Sequence, residues 1–130
     1  MRLMVVDDEQ DVQFLFQQKF RKELKSGKLE MHFEFSGETA LEYVEKLNNE
    51  DSFLVLSDIN MPGMNGLELL KKIKEKFENI KVYMITAYID EYNYQTAMDH
   101  GADDYFTKPI DFDILKNKII KFSWIDIPNR

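Results

Sequence analysis

The 130-residue chain has no cysteine, only three prolines and five glycines, and two histidines. The missing thiols exclude disulfides, thiolate zinc sites and a cysteine nucleophile; they leave the compartment open, since cytosol and periplasm both tolerate such a composition. His32 and His100 lie far apart in unlike contexts and read as surface or strand residues rather than ligands. No apolar run approaches the roughly 20 residues of a membrane span, and the amino terminus sets charges directly before and after a short strand, unlike a targeting segment. Cations are in deficit as well. With 17 Lys and Arg against 24 Asp and Glu, the net charge is −7, which argues against nucleic-acid binding by this chain, because phosphate backbones are held by clustered Lys and Arg. No Gly-rich phosphate loop, internal repeat, low-complexity tract or interior linker is present. The expectation is a soluble, untargeted, cytoplasmic protein with one compact domain, long enough to bury about two-thirds of the surface its unfolded chain exposes.

What is present is an apolar period that switches repeatedly between strand-like and helix-like. Arg2–Val6 reads as a buried strand, and a long helix follows over about 11–26, with Val12, Leu15, Phe16, Phe20 and Leu24 inward. Gly27 is placed to end it. Met31, Phe33 and Phe35 alternate with His32 and Glu34 as an edge strand, and Ser36-Gly37 turns the chain. A helix over 38–47 points Ala40, Leu41, Val44 and Leu47 inward, and the polar run 48–52 stops it before a central strand at 53–57. The pattern continues with a loop at 59–66, a helix at 67–77, a strand at 81–85, a helix at 93–100 ended by Gly101, a strand at 104–106 and a helix at 112–122. The remainder reads as a tail, so the division is a domain at 1–123 and, at 124–130, a tail or the start of a linker.

Strands alternating with helices predict a parallel sheet with helices on both faces, because each right-handed crossover needs a helix to return the chain. Five strands fit the doubly wound, flavodoxin-like order 2-1-3-4-5. In that order the first and third strands are neighbours at the switch point, so Asp7, Asp8 and Asp58, which end apolar runs, converge in one crevice. Like charges this close need a compensating cation. All the ligands are oxygen atoms, and a hard divalent ion that keeps several waters, most simply Mg²⁺ with Mn²⁺ as a substitute, suits so few carboxylates. Thr86 and Lys108 close the fourth and fifth strands at the same edge. A carboxylate, a divalent ion, a hydroxyl and an ammonium together form a receptor for a phosphoryl group, with Asp58 as the nucleophile.

Five segments then carry a family resemblance over nearly the whole chain: Val5-Val6-Asp7-Asp8-Glu9, the run from Ser57-Asp58 through Asn60, Pro62 and Gly66, Thr86-Ala87, Gly101-Ala102-Asp103-Asp104-Tyr105, and Lys108-Pro109. The chain resembles the CheY-like receiver domain of two-component response regulators. The resemblance implies that Asp58 accepts a phosphoryl group from the phosphohistidine of a histidine kinase or phosphotransfer protein. It implies that Asp8, Asp58 and the Asn60 backbone carbonyl ligate Mg²⁺, with Asp7 holding a coordinated water. Lys108, Thr86 and Ala87 would contact the phosphoryl oxygens, Thr86 and Tyr105 would act as the switch, and Lys108–Pro109 would be a cis peptide. Asn60 and Tyr88 would tune the lifetime of the phosphorylated state. The implied module is not an enzyme beyond assisting its own phosphorylation and dephosphorylation. Its output is the surface of the fourth helix, fifth strand and fifth helix, acting on an effector protein or a C-terminal output domain, as a monomer or a phosphorylation-dependent dimer.

Plainer readings stand beside these. Asp7-Asp8 could cap the following helix; Tyr92, Tyr94, Tyr105 and Phe112 could be core or interface; Lys71, Lys72, Lys74 and Lys76 read as a solvated helix face; and Met61 reads as packing or as the rim of the site. A Mg²⁺-dependent aspartate-nucleophile phosphatase of haloacid dehalogenase type is the rival function, but it needs a second Asp where this chain has Asn60, and a cap insertion that is absent. A flavodoxin-like cofactor binder needs phosphate-cradling groups where Asp7-Asp8 stand.

Overall fold

The computed structural model describes residues 1–47, 53–88 and 90–125. Its strands are β1 (Arg2–Val6), β2 (Glu30–Glu34), β3 (Phe53–Asp58), β4 (Lys81–Thr86) and β5 (Asp104–Thr107). They form one sheet in the order β2-β1-β3-β4-β5, parallel throughout. Six helices connect and follow them: α1 (Asp11–Lys19), α2 (Arg21–Lys25), α3 (Gly37–Glu45), α4 (Gly66–Lys76), α5 (Glu91–Asp99) and α6 (Phe112–Ile125). The fold is the doubly wound, flavodoxin-like one expected, and β2 lies at an edge. The polar run 48–52 falls outside the described residues, as does the tail beyond Ile125.

Successive side chains of a strand point to opposite faces, so each buried strand feeds two cores. Met4, Val6, Val55, Val82 and Met84 pack with Ala40, Val44, Leu69, Leu70, Ile73 and Ala97 of α3, α4 and α5. On the other face Leu3, Val5, Leu54, Leu56 and Ile85 meet Phe16, Phe20, Leu115 and Ile119 of α1, α6 and the α1–α2 junction. Every residue of β3 is buried. That strand therefore shows no polar alternation, as expected where helices cover both faces.

The expected first helix is divided at Phe20, which leaves helical geometry at φ −104° and ψ 20°. Hydrogen bonding carries across the break, since the Phe20 amide bonds to the Phe16 carbonyl at 2.9 Å and the Phe20 carbonyl accepts from Leu24 at 3.0 Å. The ring of Phe20 is held against Phe16 and Phe112, so the departure falls on the residue that core packing pins. Leu15, expected inward, is 41 % exposed; the face turned to the sheet is carried by Phe16 and Phe20. Phe112 belongs to that aromatic cluster, with its ring edge-on to Phe16 at 5.2 Å, which makes it a packing residue. Gly27 ends α2 at φ 78°, and α6 runs past the expected Phe122 to Ile125.

Lys74 departs furthest from expectation. Instead of joining a solvated face, its ammonium donates to the Ile80 carbonyl and to Asp103 Oδ2, both at 2.8 Å. Asp103 Oδ2 also accepts the Val82 amide at 2.8 Å. One lysine thereby ties α4 to the start of β4 and to the turn entering β5. Lys74→Met keeps the stem and removes the charge, leaving the Ile80 carbonyl and Asp103 short of a donor. Stability is expected to fall by about 2 kcal/mol, read as a lower urea midpoint with an unchanged slope.

Candidate functional site

Register sets the site. Val6 pairs with Ser57, Asp58 with Ile85 and Thr86 with Thr107, so the residues that follow β1, β3, β4 and β5 emerge level at one edge. Asp7 and Asp58 are buried to 6 % and 7 % exposure, while Asp8 is exposed. Carboxylate oxygens of all three lie within 4.8 Å of one another. Lys108 Nζ stands 3.4 Å from Asp7 Oδ2 and 3.4 Å from Asp58 Oδ2, on a chain that leaves β5 through a cis Lys108–Pro109 bond.

The capping reading of Asp7-Asp8 does not hold for α1, whose N-cap is Gln10 with no side-chain cap. Asp7 Oδ1 instead accepts the Glu9 amide at 2.9 Å, which turns its other oxygen toward Lys108. Real caps occur elsewhere: Ser36, Asn65 and Asp90 accept amides in the first turns of α3, α4 and α5.

Asn60 stands exposed at the rim, its amide 3.4 Å from Asp58 Oδ1. The loop behind it closes where the Gly66 amide donates to the Ile59 carbonyl at 2.8 Å. A Cβ at Gly66 would fall 2.1 Å from the Asp58 carbonyl oxygen, so only glycine lets α4 start this close to β3. Met61 is buried in the core rather than lining the rim. Glu38 of α3, which carries no sequence signal of a role at the site, accepts the Met64 amide at 3.3 Å.

Thr86 is fully buried, and its hydroxyl accepts the Tyr88 amide at 3.2 Å. Ala87 and Tyr88 are exposed beyond it. Tyr105 turns its hydroxyl inward, where it is buried without a hydrogen-bond partner among the described residues. Burial first and the Asp90 carboxylate second push its phenol up; the Thr86 hydroxyl is near enough to pull it back, though outside hydrogen-bonding geometry. The Tyr105 ring lies edge-on to Tyr94 at 5.1 Å. Tyr92 and Tyr94 are exposed on α5, and Lys118 of α6 pairs with Asp104 of β5 at 2.8 Å. Tyr92 and Tyr94 thus stand at the surface rather than in the core, and Tyr105 lies between Tyr94 and Thr86.

The electrostatics are those of crowded acids. Burial, and then Asp7, raise the Asp58 carboxyl above its ordinary range, against lowering by Lys108 and the Asn60 amide. Burial pulls the Lys108 ammonium down, but Asp58 and Asp7 overcome it and hold the group above its usual value. Hard oxygen donors in a pocket still short of positive charge fit a divalent cation.

The fold and site together define an α/β domain with an acidic pocket and an opposed lysine at the carboxyl ends of its strands. The family model for the response regulator receiver domain matches residues 3–120. The chain is 31% identical over 121 residues to sporulation initiation phosphotransferase F of Bacillus subtilis, covering 93% of this chain and 92% of that protein. It is 33% identical to chemotaxis protein CheY1 of Helicobacter pylori, covering 92% and 94%. Against the DNA-binding transcriptional regulator NtrC of Proteus hauseri it is 37% identical but spans 22% of that protein's length. Among solved structures, the CheY-like receiver domain protein of Methanospirillum hungatei superposes with a TM-score of 0.80 at 28% identity, covering 94% and 93% of the two chains. This chain belongs to the receiver domains of two-component response regulators. Such domains bind Mg²⁺ at an acidic pocket, work with histidine kinases and output or effector partners, and are in general signalling modules rather than enzymes. The dehalogenase-type alternative finds no support in these relationships. No helix among the described residues is long and apolar enough to cross a membrane.

The crowding has a measurable sign. A carboxyl raised in the folded state adds stability below its unfolded value of 3.8 and loses it as pH climbs through the higher folded value. At neutral pH, ionised Asp58 is thus a net cost. Without metal, Asp58→Asn is expected to gain about 1 kcal/mol at neutral pH, the gain shrinking as pH falls toward the carboxylate range, as thermal melts across pH will record.

Proposed function

We propose that Asp58 accepts a phosphoryl group from a phosphohistidine of a histidine kinase or phosphotransfer protein. The observation that carries this reading is Lys108 Nζ, 3.4 Å from both the Asp7 and Asp58 carboxylates. An Asp58 oxygen attacks phosphorus, the P–N bond breaks, and the donor imidazole leaves with the electron pair. Lys108 then exchanges its carboxylate partners for phosphoryl oxygens, offsetting the charge that builds on them. Asp8, Asp58 and the Asn60 carbonyl are the residues suited to hold Mg²⁺, or Mn²⁺ in its place, with Asp7 orienting a coordinated water. Bound there, the ion supplies charge neutralisation between the carboxylates and the incoming group. Thr86 and the Ala87 amide complete the phosphoryl contacts, and Asn60 and exposed Tyr88 control the approach of hydrolytic water and so the lifetime. In this role the domain assists only its own phosphorylation and dephosphorylation.

The output we assign to the surface of α5, β5 and α6, reached through Thr86 and Tyr105. The partner is an effector protein or a C-terminal output domain; the near-full-length match to CheY1 and the short match to NtrC support the two arrangements respectively. We keep the receiver domain at 1–123 and the tail or linker at 124–130, with the protein cytoplasmic and either monomeric or dimeric on phosphorylation.

Incubation with acetyl phosphate and Mg²⁺ should add one phosphoryl mass to the wild-type chain and none to Asp58→Asn; an adduct on that variant would refute the assignment. The switch is tested separately. Beryllofluoride with Mg²⁺ should shift amide resonances near Asp58 and across Ala87–Phe112. In Thr86→Ala the near shifts should remain and most of the distant ones vanish, because a ligand moves a two-state equilibrium only through contacts that differ between the states. Undiminished distant shifts would place the coupling elsewhere.

A further inference from the structure

The loop that carries Asn60 is held at two points. At its root, the Gly66 amide bonds to the Ile59 carbonyl at 2.8 Å. At its tip, the first turn of α3 meets it. Glu38 Oε2 accepts the Met64 amide at 3.3 Å, and a Cβ at Gly63, itself at φ +73°, would approach that same oxygen to 2.6 Å. One residue earlier, a Cβ at Gly37 would meet the Met64 carbonyl oxygen at 2.7 Å and the Met64 Cβ at 3.0 Å. The Met64 side chain in turn packs against the core. Two consecutive residues of α3 thus approach one residue of the loop, Met64, Gly37 by its lack of a side chain and Glu38 by its carboxylate. Asn60 lies between the two fixed points, and among the described residues its only amide bond is the long 3.4 Å contact to Asp58.

We propose that Glu38 is a positioning residue for the cation site: by holding the Met64 amide it sets the path of the loop and hence the direction of the Asn60 carbonyl. It touches neither ion nor phosphoryl group. The inference rests on the assignment of the Asn60 carbonyl to the cation, and it adds a determinant of cation affinity on another helix, 26 residues distant from its partner in sequence. A carboxylate there is needed as an acceptor, not as a charge, so glutamine suffices and alanine does not.

The test compares wild type, Glu38→Gln and Glu38→Ala by amide NMR, first without metal and then in a Mg²⁺ titration. Without metal, Met64 amide exchange should accelerate in Glu38→Ala and stay near wild type in Glu38→Gln. On titration, Glu38→Ala should bind Mg²⁺ about threefold to tenfold more weakly, toward the low end of losses for residues that orient ligands, because this bond is long and exposed. Glu38→Gln should stay within about twofold of wild type. Wild-type affinity in Glu38→Ala, or an equal loss in Glu38→Gln, overturns the proposal. If the wild type binds no Mg²⁺ while Met64 exchange responds as expected, the contact stands and the cation-site assignment fails, and the positioning role with it.

Discussion

Two carboxylates buried side by side at the tips of adjacent strands are the constraint around which this edge of the molecule is built. Asp7 and Asp58 cannot be moved to solvent without moving β1 or β3, both of which are locked between two cores. The fold answers with one cation from a third strand. Lys108 splits its ammonium between the two, and it does so incompletely, since Asp58 remains raised. That residual deficit leaves the pocket suited to a divalent ion. A site fully neutralised by its own lysine would have less affinity for one, and a site without the lysine would pay more to fold.

The strands and the site were legible in the sequence for a common reason. A polar residue at the end of an apolar run marks the place where a buried strand reaches an edge, and Asp7, Asp58 and Thr86 sit at such places, while Lys108 ends a shorter, half-buried strand. The topology follows from strand and helix alternation, and the topology alone brings those ends together. What was not legible depends on contacts between elements distant in sequence. Nothing in the run of lysines on α4 singles out Lys74, whose partners are a backbone carbonyl and an aspartate 29 residues later. Glu38 looks like any acid in a first helical turn until Met64 is seen beside it. The division of the first helix at Phe20 carries no proline or glycine to announce it, and Leu15 satisfies the same periodicity as its buried neighbours yet faces solvent.

The α5 side of the sheet is packed differently from its opposite. On the α1 and α6 side, Phe16, Phe20 and Phe112 interlock. Near β5, by contrast, the Tyr105 hydroxyl is buried with no partner among the described residues, and its ring leans on the half-exposed Tyr94. An unsatisfied buried hydroxyl costs free energy that a small rearrangement can recover.

Level strand tips have a consequence for biosynthesis. Lys108 lies 101 residues from Asp7 and 50 from Asp58, and it follows β5, the last strand in the chain and an edge of the sheet, so its contacts with the two acids need β5 paired to β4. A ribosome-bound chain that has released β1 through β4 has its acids but not its lysine. The pocket's own counter-charge is thus the last of its parts to be synthesised, and until it arrives the two acids face each other without it.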